Sequence, residues 1–190
     1  NIAQGVEKVE PDTTCFAFVG DSTFFASAIT GVVNAVYNQA NMVLVVLDNS
    51  TTAMTGHQPH PGTGRTVMGE IVQKINIEQV LRGIGVTEIE TINPLELEAS
   101  VSCVKRMAEK SGVRAIIFKA PCIAVTRPKA PLHVDQDSCI GCKKCIRDLG
   151  CPAIVMNDGK ICIDASMCTG CHLCSQVCPV CAIAGGDDHE

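Results

Sequence analysis

Cys139-Ile-Gly-Cys142-Lys-Lys-Cys145, closed by Cys151-Pro152, returns downstream as Cys168-Thr-Gly-Cys171-His-Leu-Cys174, closed by Cys178-Pro179. The repeat decides how the C-terminal part of the chain folds. Three thiolates two residues apart wrap one tight loop around a single inorganic centre, and the fourth corner of a cubane must be filled from elsewhere in the chain. Zinc ribbons use pairs of C-x2-C with a longer gap between them, not triplets. A secreted disulfide framework would be short and cysteine-rich throughout. Here ten of 13 cysteines lie from Cys139 onward, and only Cys15, Cys103 and Cys122 precede them. The pattern reads as iron–sulfur ligation in a reducing cytoplasm.

The two runs resemble the two-cluster bacterial ferredoxins, in which the fourth cysteine of each run ligates the other cluster. That resemblance implies two [4Fe–4S] clusters, one on Cys139, Cys142, Cys145 and Cys178, the other on Cys168, Cys171, Cys174 and Cys151. The first run departs from the pattern, with five residues (146–150) before its last cysteine where the second has three. Cys181 reads as a small packed residue beside a cluster, Cys162 as core, and His172 as a surface group between ligands.

Upstream, strand and helix patterns alternate. Residues 14–19 and 42–48 are apolar strands, the second a continuous β-branched run suited to a parallel strand buried on both faces. A helix is expected from about Phe24 to Gln39, then an irregular Gly/Pro/His-rich stretch from Asn49 to Gly64. A short helix over 77–84 stops at Gly85, and a strand follows at 88–92. Asn93-Pro94 reads as cap and first residue of a helix running to about Lys110. A last strand covers 113–119. This order implies a parallel sheet with helices on both faces. Pro121, Pro128 and Pro131 mark a linker. The reading is therefore an α/β domain over residues 1–130 and a two-cluster α+β domain over 131–190.

Composition narrows the function. A net charge of −5 gives no basic footprint for nucleic acid. The apolar runs are strand-sized, well short of the ~20 residues of a membrane span. No signal peptide is visible. The chain opens on Asn1 rather than Met, so it reads as a piece of a longer protein.

Gly20-Asp21-Ser22-Thr23 and Asp48-Asn49-Ser50-Thr51 stand at the C-terminal ends of two expected parallel strands, where open α/β sheets bind ligands. The helix after Ser22 offers free N–H groups to a phosphate. Asp21 and Asn49 are hard oxygen donors of the kind that hold Mg2+ beside phosphates. Thirty residues, counted inclusively, separate Gly20 from Asn49. The constellation resembles the GDG…NN motif of thiamine diphosphate enzymes, with Ser22 for the last Gly and Asp48 for the first Asn. The alternative is an ordinary Rossmann-like loop. By the resemblance, the Asp21 and Asn49 side chains and the Thr51 carbonyl bind Mg2+, and Gly20, Ser22, Thr23 and Met54 belong to the cofactor site.

Thr52-Ala-Met-Thr-Gly-His57-Gln-Pro-His60-Pro-Gly-Thr-Gly64 is similar to the MTGGQ segment of 2-oxoacid:ferredoxin oxidoreductases. Its two histidines and closing Pro-Gly-Thr-Gly place the resemblance nearest the alpha subunits of the indolepyruvate branch, which also end in a two-cluster domain. The resemblance implies oxidative decarboxylation of a 2-oxoacid with coenzyme A, with electrons leaving to ferredoxin. It also implies that an upstream domain or a beta subunit completes the thiamine site. Two readings of His57 and His60 stand side by side: contact with substrate or thiazolium, or hydrogen bonds that hold the loop. Met54 either packs on the thiazolium ring or fills core. Two other readings compete with the whole: an electron-transfer module with a non-catalytic α/β platform, and a pyruvate- or 2-oxoglutarate-type enzyme of the same superfamily.

Overall fold

A computed structural model describes residues 1–185. Its contacts divide the chain into two compact units, the first Asn1–Cys122 and the second beginning at Ile123.

The first unit opens with helix α1 (Ile2–Val9), which the sequence did not announce. It docks through polar groups: Gln4 Nε2 donates to the Gly31 carbonyl at 2.8 Å, and Asn34 Nδ2 donates to Gln4 Oε1 at 2.5 Å. Strand β1 (Cys15–Gly20) leads into α2 (Asp21–Thr23), a π-helical stretch Phe24–Ala28, and α3 (Ile29–Tyr37). The helix therefore starts three residues before the expected Phe24, because Asp21 itself begins the first turn. β2 (Met42–Asp48), α4 (Ile77–Ile84), β3 (Glu88–Ile92), α5 (Leu97–Glu109) and β4 (Val113–Lys119) complete the unit.

The strands form a four-stranded parallel sheet in the order β1-β2-β4-β3. Their period of two sorts side chains to opposite faces. Leu44, Val46, Ala115 and Ile117 meet Val32 of α3 and Leu81 of α4 on one face. Val43, Val45 and Ile116 meet Cys103 and Met107 of α5 on the other. This is the expected α/β layering.

Local chemistry sets the helix ends. Asn76 caps α4 by accepting from Gln79 N–H at 3.1 Å, and Gly85 ends it at φ 108°. The expected start of α5 is corrected. Asn93 Oδ1 accepts from Leu95 N–H at 3.0 Å, two residues on, and Glu96 N–H closes onto the Asn93 carbonyl. Asn93-Pro94 is thus a turn, and α5 begins at Leu97. At its other end the fully buried Arg114 serves as the cap. Its Nε donates to the Met107 carbonyl at 3.0 Å and Nη1 to Gly112 O at 2.5 Å.

The irregular segment after β2 extends to Asn76, beyond the expected end at Gly64. Residues 64–72 fold back on themselves, with Val72 N–H on Gly64 O and an antiparallel bridge from Arg65 to Ile71.

In the second unit β5 (Leu132–Val134), α6 (Lys144–Leu149), β6 (Ile154–Asn157), β7 (Lys160–Ile163), α7 (Leu173–Val177) and β8 (Ile183–Gly185) follow in order. β5 pairs antiparallel with β8, and β6 with β7. The two halves repeat each other down to the backbone. Gly141 and Gly170 have φ of 65° and 66°, and Lys143 and His172 have 59° and 61°. Such left-handed residues turn successive N–H groups inward and shape a concavity for anionic sulfur. The longer first run is absorbed by α6, which is one residue longer than α7 and stops at Gly150 with φ 58°.

Candidate functional site

The tips of β1 and β2 are stitched by one buried carboxylate. Asp21, 3% exposed, accepts Ser22 N–H on Oδ1 and Ser50 N–H on Oδ2, both at 2.8 Å. Asp48 Oδ1 also accepts Ser50 N–H, at 3.0 Å, and Lys119 Nζ stands 3.5 Å from its Oδ2. Burial pushes the Asp21 carboxyl above its ordinary value; the Ser22 N–H and His60 pull it down, and the adjacent Asp48 adds to the rise. Asn49 Oδ1 braces the turn on Thr51 N–H at 3.1 Å, and Thr51 is buried. A Cβ at Gly20 would project into open space.

His60 reaches this centre from the long loop. Its Nδ1 accepts Gly62 N–H at 3.2 Å, which leaves the proton of the neutral ring on Nε2. Nε2 stands 3.2 Å from Asp21 Oδ2, off the line that a hydrogen bond needs, and has no hydrogen-bond partner among the described residues. The His60 side chain is 5% exposed. Its ring stacks on Phe25, with centroids 5.8 Å apart. The π-helical turn permits this, since the fully buried Phe24 and its neighbour Phe25 are both turned to packing. Beside the centre lies a cavity of ≈ 390 Å3, lined by Asp48, His60, Lys74, Glu78, Thr91 and Lys119.

The structure thus brings Gly20, Asp21, Ser22, Asn49, Thr51 and His60 to neighbouring strand tips. Thr23 is exposed in the first helical turn. Met54 is fully exposed, and His57 lies exposed at φ 64°. Asp48, read from the sequence only as a replacement for Asn, also holds the Ser50 turn and lines the cavity.

The donor set suits a magnesium diphosphate. Burial first, and then the neighbouring Asp48, raise the Asp21 carboxyl, and a hard divalent cation beside two such acids favours their charged form. The open space at Gly20 gives room for the group to approach.

In the second unit Cys139, Cys142, Cys145 and Cys178 line one cavity with Ile140, Pro179 and Val180. Burial pushes the Cys145 thiol up, with Cys142 and Cys178 close enough to add to the rise. The Cys174 thiol is pushed up to about 11 by burial and then by Cys171, Cys151 and Cys168. The neighbours of Cys145 and of Cys174 belong to the two crosswise sets that the ferredoxin resemblance implies. Leu132 N–H donates to Cys168 Sγ at 3.4 Å and Ala182 N–H to Cys178 Sγ at 3.3 Å, so each set holds a sulfur with a backbone donor. Among the described residues, no three His, Cys, Asp or Glu converge tightly enough to hold a single ion. Cys181 is corrected: it is exposed at φ 51° rather than packed, because the turn after Cys178 carries it outward. Cys162 is half-buried, and Ile161 beside it fills the core instead.

Comparison with known proteins agrees with both units. Residues 1–118 match the family model "Thiamine pyrophosphate enzyme, C-terminal TPP binding domain", and residues 132–179 match "4Fe-4S dicluster domain". The indolepyruvate oxidoreductase subunit IorA of Methanothermobacter thermautotrophicus is 46% identical over 170 residues, 88% of this chain and 27% of that protein. The IorA of Archaeoglobus fulgidus is 40% identical over 173 residues, 88% of this chain and 28% of that one. The chain therefore spans little more than a quarter of the curated relatives it matches. A solved 2-oxoglutarate:ferredoxin oxidoreductase from Magnetococcus marinus shares the fold, with a TM-score of 0.57 at 20% identity over 64% of this chain and 44% of that one. On the first of these matches, with the acidic strand-tip cradle beneath it, the chain belongs to the thiamine pyrophosphate enzymes and carries their C-terminal cofactor-binding domain followed by a 4Fe–4S dicluster domain.

Proposed function

We propose that this chain is the C-terminal part of the alpha subunit of a thiamine diphosphate-dependent 2-oxoacid:ferredoxin oxidoreductase. Its substrate is indolepyruvate or a related aryl pyruvate, its acyl acceptor coenzyme A, and its electron acceptor ferredoxin. The carrying observation is the combination in one chain of a buried acidic cradle at the β1 and β2 tips with two crosswise thiol sets. The resemblance to IorA supports the choice of substrate.

When bound, thiamine diphosphate supplies the electron sink that lets a 2-oxoacid lose carbon dioxide. The residues of this chain hold and orient it. Asp21, Asn49 and the Thr51 carbonyl would hold Mg2+, and the N–H groups of the first helical turn not already taken by Asp21 would receive the diphosphate. Ser22 and Ser50 N–H groups fix the Asp21 carboxylate. His60 closes the loop over Asp21, and its burial favours the loop-holding reading over substrate contact. The eight cluster cysteines would hold the two iron–sulfur clusters, which supply a path for single electrons. The aminopyrimidine end of the cofactor is held by an upstream domain or a beta subunit. Among the described residues no helix is long and apolar enough to cross a membrane, and we place the enzyme in the cytoplasm.

The test is metal, sulfide and thiamine analysis of the whole purified complex, with turnover of indolepyruvate, pyruvate and 2-oxoglutarate. Asp21→Ala should lose thiamine diphosphate and Mg2+ while keeping iron and sulfide. Clusters without thiamine diphosphate in the intact complex would sink the enzymatic reading, and faster turnover of pyruvate would sink the aryl assignment.

A further inference from the structure

The two halves of the dicluster unit share a backbone but not a surface. In the second half, Gly170 is buried, and a Cβ there would meet Ala130 O and Lys129 Cβ, each at 2.7 Å. Lys129 N–H donates to Thr169 O at 3.2 Å, and Leu132 N–H reaches Cys168 Sγ. The segment 129–132 therefore lies across the second cysteine loop. In the first half the equivalent Gly141 is exposed and has nothing within 4 Å of a Cβ. Cys142 is exposed as well, whereas its counterpart Cys171 is half-buried.

The bare loop is also the basic one. Lys143, Lys144 and Arg147 are all exposed, and their counterparts are His172, Leu173 and Gln176. Asp148 is the only acid between Cys139 and Cys151. Upstream, Asp135 is turned onto Ser138 Oγ at 2.5 Å and Asp137 N–H at 3.0 Å. Apolar groups stand among these charges, Ile140 at 66% and Val180 at 38% exposure, both lining the cavity of the first thiol set. An apolar centre with a charged rim is the anatomy of a transient protein interface.

We infer that electrons leave through the site of Cys139, Cys142, Cys145 and Cys178, and that its rim of Ile140, Lys143, Lys144, Arg147 and Val180 docks an acidic one-electron carrier protein. This rests on the function proposed above. The step moves one electron from the cluster on those four cysteines to the centre of the carrier; no bond forms or breaks and no proton moves. The site of Cys151, Cys168, Cys171 and Cys174 lies under the 129–132 segment and feeds it from within. Complementary charge steers such encounters and makes them salt-sensitive.

The experiment uses the complete oxidised complex, without turnover, binding an immobilised acidic ferredoxin at low and at physiological salt. A Lys144→Glu/Arg147→Glu variant should weaken binding about tenfold or more and flatten its salt dependence. A neutral Lys144→Gln/Arg147→Gln variant should fall between, which guards against a folding defect in the charge reversal. Gln176→Glu, on the covered half, should leave binding unchanged. Reduction of methyl viologen with 2-oxoacid and coenzyme A should be unaltered in all three. Equal losses from the two halves, or none from either, overturns the inference. So does a complex that reduces viologen but binds no acidic carrier, since another occupant then covers the face. A complex that reduces neither acceptor overturns the enzymatic reading instead, and the binding data still report on the surface.

Discussion

Placing alanine at Gly141 and at Gly170 should produce unequal damage at two positions that the sequence repeat makes equivalent. Their φ angles, 65° and 66°, are the same within a degree, so the conformational cost of a Cβ is the same at both. For an L-residue held in the left-handed region that cost is about 1–2 kcal/mol. At Gly141 nothing adds to it. At Gly170 the new methyl group falls 2.7 Å from both a backbone carbonyl oxygen and Lys129 Cβ. Neither can swing aside as the far end of a flexible side chain would. Overpacking of this kind adds about 1–3 kcal/mol, so Gly170→Ala should cost about 2–5 kcal/mol against about 1–2 for Gly141→Ala. The assay is the denaturant midpoint for loss of cluster absorbance in the holoprotein, read beside the far-ultraviolet circular dichroism. The midpoint should fall further for Gly170→Ala, and Gly141→Asn should lie near wild type because Asn tolerates this conformation. Equal shifts for the two alanine variants would show that segment 129–132 does not lie across the second loop.

Three further outcomes follow from the α/β unit. His60→Leu should weaken Mg2+ binding in the thiamine-loaded complex about 10–100-fold, the usual effect of removing a group that orients a ligand, with His60→Gln milder; titration calorimetry measures it. Leu81→Ala, at a side chain with no exposure, should cost about 2–5 kcal/mol in chemical denaturation. Arg106 holds the Glu90 carboxyl below its ordinary value, so the ion pair stabilises the fold above the glutamate value of 4.5 and that contribution disappears as pH falls through the lowered folded value. The difference in denaturation midpoint between wild type and Glu90→Gln should therefore be full at neutral pH and close on acidification.

The strands, their parallel direction and the strand-tip position of Asp21 and Asn49 were legible because β-branched runs and Gly-Asp steps are local signals, whereas the strand order β1-β2-β4-β3 was not. The helix over 77–84 and its stop at Gly85 were equally local, whereas its cap at Asn76, three residues ahead of the N–H it accepts, came only with the structure. Asn93 misled for the same reason in reverse: an Asx turn and an N-cap share residue types and differ only in which N–H the side chain takes. The burial of His60 could not be read, because it depends on a π-helical turn placing Phe25 under a loop from beyond β2. Asp158-Gly159, with φ of 47° and 78°, marks the β6–β7 hairpin and is a turn signal that the reading passed over. Nothing local distinguishes Gly141 from Gly170; their difference comes from a segment some forty residues upstream of the second, Lys129 to Gly170.

The double grip on Asp21 bears on how the cofactor is loaded. Amides from two separate strand ends hold both its oxygens before anything arrives. The mouth of the cradle is therefore set by the polypeptide alone, and an incoming ligand spends little of its affinity on ordering it. Chains made during a thiamine shortage would keep this half of their receptor in shape, and charging them later would require capture rather than refolding.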